Sequence, residues 1–331
     1  MRSSLRLQRI VLPLAALACG CGGGGSHSSG STTSALVDPA VLERGEYLAR
    51  SVAGCGECHT PRDATGNLDQ SMWLAGVPNR FDLVPDDDTT GGISTGNLTP
   101  AALGSWSDDQ IKHAFLDGVG KNGAPLFPLM PYYAFHNMTA DDANAVVTYL
   151  RNVPPIQNTV PARQPLPVAL FAPAPPIPPS AIPDTTLAPS DPSYASAEHG
   201  RYLAGQVGFC LDCHTSWRLG AAQPLDLTRV FAGGRGFSAK EWSVPPPAPA
   251  VVYSLDITPH ASGIAGWTAD DVANFLRDGV SPKGASLCGP MPAGPVGSFG
   301  ALSREDDHDI GEYLTTIAPI DGGDIPSCTI P

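Results

Sequence analysis

The stretch 55–59 reads Cys-Gly-Glu-Cys-His, and the stretch 210–214 reads Cys-Leu-Asp-Cys-His. This Cys-x-x-Cys-His spacing is typical of c-type haem attachment, in which both thiols add to the haem vinyl groups and the adjacent histidine binds the iron. A zinc knuckle or a redox dithiol could produce a single copy of the pattern. Two copies in matching surroundings favour haem attachment at both places.

Each motif assigns two thioether positions and one iron ligand: Cys55, Cys58 and His59 in the first copy, and Cys210, Cys213 and His214 in the second. The sixth iron position needs another ligand, and Met130 and Met291 each stand before a proline well downstream of a motif. Methionine sulfur raises the reduction potential of haem iron. Methionine is also a common core filler, but these two occupy the same place in both halves. We therefore predict two covalently bound haem c groups, each with His/Met ligation.

The surroundings of the two motifs match in the same order. The matched segments are GEYLA at 45–49 with GRYLA at 200–204, NLTP at 97–100 with DITP at 256–259, DGV at 117–119 with DGV at 278–280, Met130-Pro131 with Met291-Pro292, and Tyr149-Leu150 with Tyr313-Leu314. A repeated order over this length indicates that the chain contains two copies of one domain.

Helix-start signals recur in both halves. A Ser or Thr followed three residues later by Asp or Gln is typical of a helix N-cap, and such pairs begin at Ser107, Thr139, Thr268 and Ser303. No segment alternates convincingly between apolar and polar residues, as a half-buried strand does. We predict an all-α fold of two tandem class I-like cytochrome c domains. The first and last helices of each half should cross at Gly45 or Gly200, where no side chain intervenes.

The predicted organisation has five parts: a signal peptide at 1–18, a Gly/Ser-rich tether at 19–38, a first cytochrome c domain at 39–153, a proline-rich linker at 154–192, and a second cytochrome c domain at 193–331. Proline excludes helix and central strand from the linker. We expect an extended strap that packs over both domains, because apolar residues such as Ile177 would otherwise be exposed.

The N-terminus predicts export. Three arginines precede the apolar run 10–18, which is too short to span a bilayer. Cys19 and Cys21 follow at once, so one of them could carry a lipid that tethers the chain to a membrane; ordinary secretion is the alternative. Either route leads to the periplasm, where disulfides persist. The remaining cysteines, Cys288 and Cys328, are therefore predicted to form a bridge.

Charge excludes one class of partner. The formal net charge is −13, and only 19 of the 331 residues are Lys or Arg. Nucleic-acid binding needs a basic patch, so we expect no nucleic-acid partner.

Polar residues near the predicted haems form two sets. Arginines could bind haem propionates, although we expect the candidates to lie at the surface: Arg62, Arg80, Arg163, Arg229 and Arg235. A second set recurs in both halves, which predicts a loop beside each haem: Asn97, Thr99, Asp256 and Thr258.

Taken together, the ordered motifs from about residue 40 onward resemble one family, the multihaem cytochrome c subunits that accept electrons from periplasmic alcohol, sugar-acid and hydroxylating dehydrogenases. The resemblance implies that Cys55, Cys58, His59 and Met130 serve one haem, and that Cys210, Cys213, His214 and Met291 serve the other. The best-known members carry three haem domains and a C-terminal membrane helix. This chain shows two motifs and no such helix, which argues against a quinone-reducing subunit.

The predicted function is electron transfer without catalytic residues, between a dehydrogenase donor and a cytochrome or oxidase acceptor. Two alternatives stay open. A dihaem peroxidase-like enzyme would need one iron with an open sixth position, which the paired Met-Pro segments argue against. A haem-wiring subunit of a larger oxidoreductase complex would share all these motifs.

Overall fold

Helices carry most of the regular structure, and each half repeats the same series. The structure, a computed structural model, describes residues 37–82, 92–161, 173–218, 221, 223–244, 248–287 and 289–326. The predicted signal peptide, most of the predicted tether, and the cysteines Cys19, Cys21, Cys288 and Cys328 lie outside these ranges. Their lipidation and pairing stay predictions. Within the described ranges, no helix has the length and apolar character needed to cross a bilayer.

The helices are α1 Pro39–Tyr47, α2 Cys55–His59, α3 Pro100–Leu103, α4 Asp108–Asp117, α5 Tyr132–Phe135, α6 Ala140–Asn152, α7 Tyr194–Tyr202, α8 Cys210–Cys213, α9 Ala269–Asp278 and α10 Arg304–Thr316. The series α1, α2, α4 and α6 in the first half corresponds to α7, α8, α9 and α10 in the second. One π-helical turn follows the first helix of each half, at Leu48–Val52 and Leu203–Val207.

The predicted helix starts are confirmed. Ser107 caps α4 by accepting a hydrogen bond from the Gln110 amide at 3.1 Å, and the Gln110 side chain closes the capping box. Thr268 does the same for α9 with Asp271. The last helices α6 and α10 also begin at their predicted caps. In each of these four helices the cap side chain thereby satisfies one of the unpaired first-turn amides.

Helix crossing at the two glycines is also confirmed. A Cβ atom on Gly45 would lie 1.9 Å from the Ala145 carbonyl oxygen in α6. A Cβ atom on Gly200 would lie 1.9 Å from the Asp309 carbonyl oxygen in α10. The first helix of each half therefore packs directly against the backbone of the last helix.

The all-α prediction is wrong, because each half contains a small antiparallel sheet. Strands β1 Val77–Asp82 and β2 Gly92–Thr95 pair in the first half, and β3 Gly236–Ser238 pairs with β4 Val251–Tyr253 in the second. A two-stranded sheet has only edge strands, so it tolerates proline and needs no buried face. Buried and exposed residues do not alternate along β1, and β3 and β4 have only three residues each. These strands leave no period-two pattern to detect.

Reciprocal hydrogen bonds join the two halves. Tyr47 in α1 donates its hydroxyl proton to Asp306 at the start of α10. Tyr202 in α7 donates to Asp142 at the start of α6, at 2.7 Å. Within the first half, Arg44 also forms an ion pair with Asp142 at 2.8 Å. In each half, the tyrosine of the first helix therefore donates a hydrogen bond to the first turn of the last helix in the other half.

The proline-rich segment packs over both halves where it is described. Ile177 is 1% exposed, and its amide donates to the Tyr133 carbonyl of the first half at 2.9 Å. Further along, the Pro183 carbonyl accepts the hydroxyl of Tyr313 from the second half at 2.7 Å. Ile177, which is part of the proline-rich segment, is buried as predicted.

The crossing glycines give a stability prediction. Gly45→Ala should lower the free energy of unfolding by about 1–3 kcal/mol, because the overpacked methyl group outweighs the better helix propensity of alanine. Urea unfolding followed by circular dichroism measures the change. Gly96→Ala is the matched control, since a Cβ atom there would meet no atom of a distant residue within 4 Å. Equal stability of both variants would contradict the direct helix contact.

The interface tyrosines give a pH prediction. Burial, and then the Asp306 carboxylate, raise the pKa of Tyr47 from 10.0 to about 12. Burial also raises the pKa of Tyr202 to about 12. Because the folded-state pKa is the higher one, the stabilisation is complete below pH 10 and is lost as the pH rises from 10 towards 12.

Urea unfolding at a series of pH values tests this point with Tyr47→Phe. The stability difference between the wild type and this variant should be constant up to about pH 10 and then shrink. A difference that is already shrinking at pH 8 would contradict the prediction.

Candidate haem sites

The four motif cysteines are free thiols, and each is partly buried. None forms a disulfide. Burial raises the pKa of Cys55 to about 12, that of Cys58 to about 11, and that of Cys210 to about 12, and it also raises the pKa of Cys213. A redox dithiol needs the opposite, a lowered thiol pKa. The redox interpretation of the motif is therefore disfavoured.

The zinc interpretation is disfavoured by the positions of the donor atoms. Among the residues that the structure describes, the only three His, Cys, Asp or Glu side chains whose donors all lie within 4.8 Å are His199, Asp306 and Asp309. Neither Cys-x-x-Cys-His segment forms such a group. Its thiols and imidazole therefore do not converge on a shared ion in the tetrahedral arrangement that zinc requires.

Both histidines are oriented by a backbone carbonyl. His59 Nδ1 lies 2.7 Å from the Gly96 carbonyl oxygen, and His214 Nδ1 lies 2.7 Å from the Leu255 carbonyl oxygen. Burial lowers the pKa of both imidazoles, which favours the neutral form. A neutral imidazole that donates from Nδ1 keeps the lone pair of Nε2 for a metal. This is the arrangement that an iron-binding histidine requires.

Buried side chains hold each of these carbonyls in place. Asn97 follows Gly96 directly, and its side-chain oxygen accepts the Thr99 amide at 2.8 Å. Asp256 follows Leu255 and accepts the Thr258 amide at 2.8 Å. All four side chains are at most 8% exposed. The repeated Asn/Asp-x-Thr pattern thus builds the turn that fixes the histidine partner.

Each half also contains a buried hydrogen-bond donor without a partner in the described part of the chain. These donors are Nη2 of Arg80 and Nε1 of Trp217. Arg80 lines a polar cavity of about 380 Å³ together with Arg62 and Lys240. A buried donor requires an acceptor, and the carboxylates of a haem are acceptors. The donor set therefore fits a haem in both halves.

Arg235 is a correction to the expected surface position of the arginines. It is 5% exposed and forms an ion pair with Asp212 inside the second motif, and its guanidinium lies 4.6 Å from the ring centroid of Trp217. Arg62 pairs with Glu57 of the first motif at 2.8 Å. Arg229 is exposed as expected, and Arg163 lies outside the described residues.

Met130 and Met291 lie at equivalent places, partly buried against the core. Met130 leads into α5, and Met291 leads into a 3₁₀ turn at Ser298–Ala301. Met138, by contrast, is 7% exposed and is part of the core. Iron ligation by Met130 and Met291 stays a prediction from their position in the repeat.

Sequence reasoning missed a set of contacts between the halves at the motifs. Ser298 donates its hydroxyl proton to Glu57 of the first motif at 2.7 Å. Tyr133 donates its hydroxyl proton to Asp212 of the second motif. The signal in the sequence was the acidic residue that precedes the second cysteine of both motifs.

Comparison with known proteins confirms the resemblance predicted from the motifs. The chain is 28% identical over 316 residues to the cytochrome c subunit of the quinone alcohol dehydrogenase of Gluconobacter oxydans, covering 89% of this chain and 59% of that protein. It is 27% identical over 291 residues to a nicotinate dehydrogenase subunit of Pseudomonas putida, covering 84% of this chain and 21% of that protein. No family model matches the chain.

A shorter match is to a protein whose name specifies two haems. A dihaem c-type cytochrome of Cereibacter sphaeroides is 34% identical over 119 residues, covering 35% of this chain and 36% of that protein. The chain spans about three-fifths or less of the length of these relatives. Further relatives are also named as dehydrogenase cytochrome subunits. Cytochrome subunits are electron-transfer components rather than catalytic enzymes.

Proposed function

We propose that the chain is a dihaem c-type cytochrome that carries single electrons between a periplasmic dehydrogenase and a terminal acceptor, a cytochrome or an oxidase. The observation that carries the proposal is the pair of motif histidines, each with Nδ1 held by a backbone carbonyl at 2.7 Å. Hydrogen bonding of this kind orients an iron ligand and increases its basicity. It occurs twice, beside two pairs of free cysteines.

The cysteines, histidines and methionines of the two halves would hold the haems in different ways. Cys55 and Cys58 would form the thioethers of the first haem, and Cys210 and Cys213 those of the second. His59 and His214 would bind the two irons, and Met130 and Met291 would each supply a second protein ligand to one iron. When bound, haem iron supplies one-electron redox chemistry, and His/Met ligation raises its potential.

Buried polar groups would set the surroundings of the haems. Nη2 of Arg80 and Nε1 of Trp217, which have no partner among the described residues, would donate to haem carboxylates, since a buried donor without an acceptor is destabilising. The carbonyls of Gly96 and Leu255 would keep the two imidazoles in one tautomer and one orientation. Fixed ligands favour electron transfer, because little reorganisation accompanies a change of charge.

The sequence and the relatives support the proposed location and partners. The arginines and the apolar run before Cys19 support export to the periplasm and a lipid tether through Cys19 or Cys21. Relatives named as dehydrogenase cytochrome subunits support a dehydrogenase as the electron donor. Within such an assembly the chain could also serve as a subunit that wires haems together.

The haem number gives the primary test of the proposal. Pyridine haemochrome analysis and intact mass should show two covalent haems per chain. The double variant Cys55→Ser/Cys58→Ser should retain one haem, and Cys210→Ser/Cys213→Ser should retain the other. Cys288→Ser/Cys328→Ser is the matched control and should keep both haems. Retention of two haems by either motif variant would overturn the assignment.

The methionine ligands give a second test. Met130→Ala and Met291→Ala should each halve the weak absorbance band of Fe(III)–Met ligation, make one haem high-spin and lower its potential, because the thioether that favours Fe(II) is lost. Both variants should keep two haems. Met138→Leu, a core substitution, should leave the band unchanged. Survival of the band when both Met130 and Met291 are replaced would refute this ligation.

The same proteins discriminate against a peroxidase-like enzyme. With both irons six-coordinate, the wild type should reduce hydrogen peroxide no faster than an ordinary cytochrome c. Fast, saturable peroxide reduction after one haem has been reduced would favour the enzyme instead.

A further inference from the structure

The segments that follow the two predicted methionine ligands are hydrogen-bonded across the molecule. Tyr133, three residues after Met130, donates to Asp212 inside the second motif. Ser298, seven residues after Met291, donates to Glu57 inside the first motif, from its hydroxyl at 2.7 Å and its amide at 3.2 Å. The segment after each methionine is therefore hydrogen-bonded to the Cys-x-x-Cys-His motif of the other half.

These bonds lie in the interior, where they restrain strongly. Tyr133 is fully buried, and Asp212, Glu57 and Ser298 are 5%, 9% and 8% exposed. Breaking such a bond leaves a buried acceptor without its donor, which is more destabilising than the loss of an exposed bond.

Each acid is also held by a cation from its own half. Asp212 pairs with the buried Arg235, and Glu57 pairs with Arg62 at 2.8 Å. These ion pairs fix the carboxylates in position. Each carboxylate is therefore a rigid anchor for the hydroxyl that reaches it from the other half.

Apolar packing reinforces the contact at the first motif. Phe209, which precedes the second motif, packs against Phe299 with ring centroids 5.2 Å apart. Gly54, which precedes the first motif, leaves room for the Phe209 ring: a Cβ there would lie 2.6 Å from the ring and 3.5 Å from the Ser298 hydroxyl oxygen. Residues flanking both motifs thus enclose the segment that follows Met291.

We propose that Glu57 and Asp212 are positioning residues that act crosswise: Asp212 holds the Met130 segment of the first half, and Glu57 holds the Met291 segment of the second half. The strength of each iron–methionine bond then depends on the motif of the other half. This inference rests on the proposed His/Met ligation.

Displacement of methionine by imidazole tests the inference. In a Met291→Ala background the remaining Fe(III)–Met band reports Met130 alone. Adding Tyr133→Phe should lower the imidazole concentration that abolishes half of this band by roughly tenfold, as expected for loss of one hydrogen bond to a charged group. In a Met130→Ala background, Ser298→Ala should have the same effect on Met291.

Tyr47→Phe is the matched control. It deletes the same kind of tyrosine–aspartate bond between the halves, to Asp306, but it lies outside both methionine segments. It should leave the imidazole midpoint unchanged. An equal shift in Tyr47→Phe, or no shift in both Tyr133→Phe and Ser298→Ala, would overturn the crosswise anchoring.

Glu57→Gln distinguishes a crosswise effect from a local one. It should weaken Met291 in the second half and leave Met130 unaffected, although Glu57 belongs to the first motif. Weakening of Met130 alone would overturn the inference and leave the ligation intact. Survival of the band when both Met130 and Met291 are replaced would instead remove the ligation itself, and this inference with it.

Discussion

The hydrogen bond between each motif histidine and a backbone carbonyl is the interaction on which the two sites depend. It fixes the tautomer and the plane of the imidazole, and it requires that the carbonyl itself cannot move. The buried Asn97–Thr99 and Asp256–Thr258 turns meet this requirement, since each begins at the residue after the carbonyl. The same turns reach the segments behind the last helices: Thr99 bonds the Ile156 amide and Thr258 the Ile320 amide. The position of the histidine is thus coupled to the packing of each half.

Duplication explains why the structure contains two sites of the same design, and the differences between the halves show what that design tolerates. After Met130 the chain forms the short helix α5, whereas after Met291 it passes through prolines and glycines into a 3₁₀ turn. In both halves a hydroxyl group from this segment nevertheless donates a hydrogen bond to the acidic residue in the motif of the other half. The hydrogen bond is kept while the local backbone that presents it has changed from helix to turn.

The sequence allowed the helices, their caps and the glycine crossings to be predicted, because each leaves a local signal at fixed spacing. Ser107 needs only Gln110 to mark the start of a helix, and Gly45 stands in a repeated segment. The sheets were missed because a two-stranded ladder of edge strands imposes no alternation. Arg235 was expected at the surface because its partner Asp212 lies 23 residues earlier, and sequence spacing does not reveal an ion pair of this kind. The sequence could not identify the carbonyls of Gly96 and Leu255 as the histidine partners, because every residue has a backbone carbonyl.

The reciprocal tyrosine–aspartate bonds between α1 and α10 and between α7 and α6 have the form of an isologous interface. In such an interface the same patch serves on both sides of a two-fold axis. Each half contains both members of the pair, a tyrosine in its first helix and an aspartate at the start of its last helix. This pair of contacts is therefore self-complementary, as at the interface of a symmetric homodimer whose two subunits have been fused into one chain.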